Sequence, residues 1–210
     1  ISSQAVSISG LALSGAASGN YSVTQPTGVV ATITPKNLTI SGAAVSASKV
    51  YDTTTTAAVT NSGSLSSGAI SANDGLFYSA DGLSLTGALT ATYNSANVAS
   101  ANLISFDIGG ISLSSTVAGK TGNYVLTPVA SVAGSITPKA LTMSGLSVAS
   151  SKVYDGTTDA VVSGSASLAN AVAAGTGSSI DGKAYLGDSV AITGTASGAY
   201  NLATVAGASS

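Results

Sequence analysis

Ile33-Thr34-Pro35-Lys36, followed by Leu38-Thr39-Ile40-Ser41-Gly42, returns 103 positions later as Ile136-Thr137-Pro138-Lys139, followed by Leu141-Thr142-Met143-Ser144-Gly145. Apolar and hydroxyl residues alternate through both stretches, which is the two-residue period of a strand. The proline at the head of each, Pro35 and Pro138, sets φ and removes a ladder donor, so it suits an extended junction between modules. Self-similarity at a long, constant spacing marks a chain built from repeated modules, and that governs every later assignment.

Outward from this stretch the recurrence holds. Ser18-Gly19-Asn20-Tyr21 is echoed by Thr121-Gly122-Asn123-Tyr124, and Ser48-Lys49-Val50-Tyr51-Asp52 by Ser151-Lys152-Val153-Tyr154-Asp155. Past Asp52 the spacing becomes 107: Asp74-Gly75 matches Asp181-Gly182, Tyr78 matches Tyr185, Asp81 matches Asp188, and Tyr93-Asn94 matches Tyr200-Asn201. A four-residue insertion in the second copy, between about 164 and 180, accounts for the change and reads as a longer Gly/Ser/Ala loop around Ala173–Ser179. All eight tyrosines fall into register as the pairs 21/124, 51/154, 78/185 and 93/200.

The two spacings together equal the chain length of 210. Residues 37–139 form a complete repeat. Residues 140–210 are the N-terminal part of the next, and 1–36 are the C-terminal part of one. The chain opens on Ile1 without a Met or a charged-then-apolar leader, and is expected to be a segment or processed product of something longer. An equivalent of 1–36 completes the open copy in one of two ways: through a longer chain that continues covalently past Ile1 and Ser210, or from a neighbouring subunit by strand addition.

Only 7% of residues are charged; every basic residue is Lys, every acidic one Asp, and the net charge is −2. Six dispersed lysines make no phosphate-binding stripe, so nucleic acid is not expected as a partner. No run of about eighteen apolar residues is present, so no membrane insertion is expected. Low charge with 44% hydrophobic content argues for folding over disorder. Without His or Cys, and with no phosphate-cradling glycine loop, the sequence points to no enzyme, no catalytic residue, no metal site and no cofactor. The expected fold is all-β: small sandwich-like modules (Ig-like or β-grasp-like) of about seven strands arranged end to end in an elongated array. Ser167–Ala174 is the one stretch where a helical turn is expected.

Lys152-Val153-Tyr154-Asp155-Gly156-Thr157-Thr158, Gly187-Asp188-Ser189-Val190, Gly19-Asn20-Tyr21 and Ile136-Thr137-Pro138-Lys139-Ala140-Leu141-Thr142 resemble the YDG-type repeat, which is similar to the MBG repeat. Such repeats stand in tandem in large bacterial exoproteins and adhesins of the filamentous-haemagglutinin, two-partner-secretion kind. The resemblance implies a secreted, cell-surface structural repeat of an adhesin stalk or biofilm-matrix filament, without catalysis. The first copy departs from the pattern: Thr53 follows Asp52 where Gly156 follows Asp155. If that turn needs a positive φ, Thr53 bears a strained backbone.

Lys49, Tyr51 and Asp52, with Lys152, Tyr154 and Asp155, form the sharpest local motif. It reads as a tyrosine anchor beside an aspartate turn, against the alternative of a Lys–Asp isopeptide crosslink. Asp74 and Asp81, with Asp181 and Asp188, read as turn formers rather than calcium ligands, because that cation wants six to eight oxygens. Tyr21, Tyr51, Tyr78 and Tyr93, and their mates Tyr124, Tyr154, Tyr185 and Tyr200, read as core anchors; the alternative is a sugar-binding face in a glycan- or receptor-binding adhesin module. The expected partners are copies of the chain itself, with end-to-end association and lateral bundling because few lysines guard the sheet edges. Surface glycans are the second class of partner.

Overall fold

The computed structural model describes residues 3–175 and 178–205. No α-helix occurs among them; the elements are short strands and three 3-10 turns. The N-terminal segment holds β1 (Ser3–Ala5) and β2 (Val30–Thr32), paired antiparallel. There follow β3 (Lys36–Leu38), β4 (Ser41–Val45), β5 (Ser48–Val50), β6 (Val59–Ser64), β7 (Leu83–Gly87), β8 (Thr90–Tyr93), β9 (Leu103–Asp107), β10 (Ile111–Ser115), β11 (Tyr124–Leu126), β12 (Val132–Ala133) and β13 (Ser135–Thr137). The second copy supplies β14 (Met143–Val148), β15 (Asp159–Ala160), β16 (Val162–Val172), β17 (Lys183–Tyr185) and β18 (Gly198–Ala199).

Among the described residues the strands make eight small sheets of two or three strands each. β7 and β10 pair antiparallel from Leu83↔Ser115 to Gly87↔Ile111. Two of the three parallel pairings span the repeat: β3 with β11 (Lys36↔Tyr124, Leu38↔Leu126) and β5 with β13 (Ser48↔Ser135, Val50↔Thr137). Each joins strands that lie far apart in sequence, so the end of the repeat folds back beside its start. The close of a copy therefore depends on its last strands being present.

The chain clusters into two compact units, each assembled from separate segments. The first holds Ile1–Ala44, Val59–Thr90 and Phe106–Ala130. Its core is two adjoining sets: Leu38, Phe77, Leu83 and Tyr124, and Ile40, Leu89 and Ile111. Leu38 is completely buried, on the inward face that the alternation of the opening stretch defines. The second unit holds Val45–Ala58, Ala91–Ser105 and Ser131–Ser210, and buries Ala91, Tyr93, Ala101, Ile104, Ile136 and Tyr185. Gly134 lies against Ile104 and Tyr93; a Cβ there would meet Ile104 at 2.5 Å, which ties this position to glycine.

The second copy repeats several of the first copy's backbone bonds. The Thr39 amide donates to the Gly75 carbonyl at 2.9 Å, and the Thr142 amide to Gly182 at 2.9 Å. The Tyr93 amide donates to Thr55, and the Tyr200 amide to Thr158, both at 2.7 Å. The bridge Thr56↔Thr92 recurs as Asp159↔Ala199, and β4 on β6 recurs as β14 on β16. The difference is at the closing strand. Lys139–Leu141, the counterpart of β3, lies in no strand among the described residues. Its surroundings are correspondingly wet: Met143 is 58% exposed where Ile40 is 6%, and Val190 is 49% exposed where Leu83 is 7%.

The helical turn expected over Ser167–Ala174 is replaced by strand. β16 runs through Val172, paired with β14 on one side and, in parallel, with β17 on the other. Half-buried Ala166 and Leu168 alternate with exposed Ser165 and Ser167, and two flanking ladders outweigh any local helical tendency. Of the expected loop 173–179, residues 176 and 177 lie outside the described residues.

Candidate functional site: the lysine–aspartate turns and the tyrosine positions

The Lys-Val-Tyr-Asp motif begins at the end of β5. The Tyr51 amide donates to the Thr137 carbonyl at 2.9 Å, and the chain then turns. Asp52 Oδ1 accepts the Thr54 amide at 2.9 Å and the Thr54 hydroxyl at 2.9 Å, an aspartate turn. Lys49 Nζ donates to Asp52 Oδ1 at 2.7 Å, to the Thr54 carbonyl at 2.7 Å and to the Thr54 hydroxyl at 2.8 Å. An ammonium has three protons, so this cage uses all of them. The same group sits 5.5 Å from the centre of the Tyr93 ring.

The second copy builds the same cage. Lys152 Nζ donates to Asp155 Oδ1 at 2.8 Å, to the Thr157 carbonyl at 2.9 Å and to the Asp159 carbonyl at 3.0 Å, and lies 5.5 Å from the Tyr200 ring centre. Gly156 has φ +80°. Thr53, its counterpart, has φ +69°, and no other described non-glycine residue has a positive φ. The first copy therefore carries the strain that the missing glycine implies, with the Thr53 hydroxyl donating to the Asp52 carbonyl at 2.5 Å.

These carboxylates are held ionised. Burial works against the charged form of Asp52, but hydrogen bonds from Lys49 and Thr54 outweigh it and lower its pKa. Asp155 is drawn down to about 2, first by the Lys152 hydrogen bond and then by Thr157. An amide between Lys49 and Asp52 would join residues three apart and brace nothing across the fold, so the geometry serves a turn clamp better than a crosslink.

Five of the six lysines are in ion pairs with aspartates. Lys36 pairs with Asp74 at 2.5 Å, and Asp74 also gathers the amides of Ile70, Ser71 and Leu76. Lys139 repeats this with Asp181 at 2.9 Å; its side chain is 3% exposed and its ammonium lies 4.1 Å from the Tyr185 ring centre. Burial alone would lower the Lys139 pKa, but the contacts with Asp181 and Tyr185 carry it above the ordinary value. Asp81 is buried, accepts the Tyr124 hydroxyl at 2.6 Å and pairs with Lys120 at 3.1 Å. The Tyr124 bond, with Lys120, lowers its pKa. Three of the four aspartates weighed as calcium ligands are thus engaged by lysine.

The tyrosines divide by context. Tyr93, Tyr124 and Tyr185 are buried core residues, and Tyr51 and Tyr200 are half-buried. Tyr21, Tyr78 and Tyr154 are 74%, 49% and 63% exposed, so they fill no core in this chain. Tyr51 packs edge-on against Tyr185, ring centres 5.9 Å apart, and its hydroxyl donates to Asp188 at 3.2 Å. Pro138, Lys139, Tyr185 and Asp188 line a cavity of about 310 Å³ beside it, and Pro35, Lys36, Tyr78 and Asp81 line another of about 460 Å³. The roles of Thr54 and Thr157, and the pairing of Lys36 and Lys139 with distant aspartates, do not follow from local sequence. The signal that could find them is the repetition of Pro-Lys and of Asp-Gly in both copies.

The fold and these turns define an all-β repeat module whose charges are used to clamp its own backbone. Residues 34–131 match the model of the YDG domain. No curated protein and no solved structure matches the chain. The chain thus contains a YDG domain, and the matched region includes the closing strand β11 and the buried Tyr124.

Proposed function

We propose that the chain is a structural repeat segment of an extracellular bacterial fibre, an adhesin stalk or biofilm-matrix filament, made of small sandwich-like modules in tandem. The observation that carries this reading is that the duplicated Lys–Asp pairs, Lys49–Asp52 with Lys152–Asp155 and Lys36–Asp74 with Lys139–Asp181, are used on internal clamps in both copies. A spacer must keep one framework from module to module, whereas a module that binds a ligand directs such residues outward. The YDG match supports the same reading, since the resemblance implies secreted surface arrays.

Two clamps per pair of modules suit an extended element under tension, because each Lys–Asp–Thr cage pins a turn of the backbone. The exposed Tyr78 and Tyr154 favour a second reading, a glycan- or receptor-binding module. Immunogold labelling of intact cells with an antibody against this chain tests the proposal. Gold along external fibres is the expected result; gold confined to the cell interior overturns it. Binding of the isolated chain to a panel of surface glycans would favour the second reading.

A further inference from the structure

We propose that the open groove beside Leu141 is an acceptor for the Ser18–Val23 segment of a second copy of this chain, which adds there as a parallel strand. This names a partner within the fibre reading and rests on that reading only for its biological use.

The complete copy shows what the groove lacks. There β11 lies parallel to β3, Tyr124 opposite Lys36 and Leu126 opposite Leu38, and the Thr127 amide donates to the Leu38 carbonyl at 2.9 Å. Tyr124 covers Leu38 and Leu83 and sends its hydroxyl to Asp81. The second copy has each acceptor residue in register: Lys139 and Leu141 for Lys36 and Leu38, Val190 for Leu83, Asp188 for Asp81. These line the cavity of about 310 Å³, and Val190 stands 49% exposed in it.

The donor is already shaped. Gly19-Asn20-Tyr21-Ser22-Val23-Thr24 matches Gly122-Asn123-Tyr124-Val125-Leu126-Thr127. A 3-10 turn, Ser18–Asn20, precedes Tyr21 as Thr121–Asn123 precedes Tyr124. Tyr21 has φ −132° and ψ 156°; Tyr124 has φ −136° and ψ 155°. Tyr21 thus holds the bound conformation while 74% exposed, and Val23 is 43% exposed. A strand that is preorganised loses little entropy on docking. Among the described residues no strand pairs with the donor or with Lys139–Leu141, and both stand open.

In the joined pair, Tyr21 faces Lys139, Val23 covers Leu141, and the Tyr21 hydroxyl donates to Asp188. That carboxylate already accepts Tyr51, and its two oxygens serve both hydroxyls. Donor and acceptor are different surfaces of the chain, so the contact is heterologous, and a heterologous contact that does not close propagates. The step has a second consequence. Tyr51 packs on Tyr185 and Asp188; by the same relation Tyr154 of one copy seats on Tyr78 and Asp81 of the next, where Tyr154 and Tyr78 are now exposed.

The test uses the full chain and a fluorescent peptide of residues 16–27. Saturable binding is expected. A Val23→Asp peptide should lose it, and a Tyr21→Phe peptide should bind about tenfold more weakly, as expected for one hydrogen bond to a charged group. The chain alone should sediment as a concentration-dependent series of oligomers that excess peptide disperses. No peptide binding, equal binding of the Val23→Asp peptide, or a strictly monomeric chain that still binds peptide would each overturn the proposal. None of these results bears on the immunogold experiment, so the two readings fail separately.

Discussion

Leu38 and Leu141 hold the same position of the repeated stretch, and truncating each to alanine should cost very different amounts. Leu38 is fully buried among Phe77, Leu83 and Tyr124, with Leu65, Leu113 and Leu126 packed around them. Removing a leucine side chain from a rigid core costs about 2–5 kcal/mol, and a site closed on all sides sits in the upper part of that range, about 3–4 kcal/mol. Leu141 has Ala184 where Leu38 has Phe77, an exposed Val190 where Leu38 has Leu83, and, among the described residues, no strand paired beside it. Its side chain is half-buried at most, so Leu141→Ala should cost about 1 kcal/mol. Native-state hydrogen exchange reads both copies in one molecule, through the Thr39 amide bonded to Gly75 and the Thr142 amide bonded to Gly182. Leu38→Ala should speed exchange at Thr39 by about a hundredfold or more, at roughly 1.4 kcal/mol per tenfold. Leu141→Ala should speed Thr142 by about fivefold. Equal acceleration in the two copies would refute the reasoning that the second groove is open.

Thr53→Gly should raise stability by about 1 kcal/mol, because glycine removes the cost of a left-handed residue while adding some unfolded-state entropy, and Gly156→Thr should lower it by about 1–2 kcal/mol; thermal unfolding of both variants checks the pair. Asp52, Asp74, Asp155 and Asp181 all have folded-state pKa values below the ordinary 3.8. Their contribution is therefore complete above that value and lost as pH falls through the folded values, about 2 for Asp155. Urea midpoints should hold steady from pH ~7 to about 5 and fall below about 4, and Lys152→Gln should blunt the fall. A midpoint that falls between pH ~5 and ~7 would contradict this. Tyr154→Ala should leave urea stability unchanged and weaken self-association seen by sedimentation, since the side chain is 63% exposed and packs only in the joined pair.

Much of this is legible in the residues themselves. Repetition places each tyrosine and each aspartate turn, and the Gly156/Thr53 mismatch points to a positive φ that the backbone has at both positions. The all-β character follows from Ser, Thr and Val in alternation. What is not legible depends on contacts far apart in the chain. Parallel pairing of Lys36–Leu38 with Tyr124–Leu126 leaves no local trace, because the same alternation serves either strand direction. Ser167–Ala174 is ambiguous by composition, and only the ladders on both sides of β16 decide for strand. By residue type every tyrosine reads as a core anchor, yet Tyr21 and Tyr124 share a motif and a backbone conformation while one is exposed and the other buried. Burial there is decided by whether a neighbouring strand is present, which no local pattern encodes.

Lys36 and Asp74 illustrate the same limit. Each looks like surface charge by itself, and they meet across 38 residues to close a loop around three backbone amides. Such pairs explain how a chain with 7% charged residues uses nearly all its lysines internally.

On the proposed reading the chain is framework, one stretch of a fibre whose modules follow one another. Electron microscopy of fibres sheared from the surface of the native cells, identified by antibody to this chain, tests that claim most directly. Continuous filaments with an axial period of two modules are expected. Isolated globular particles, or filaments without that period, would contradict it.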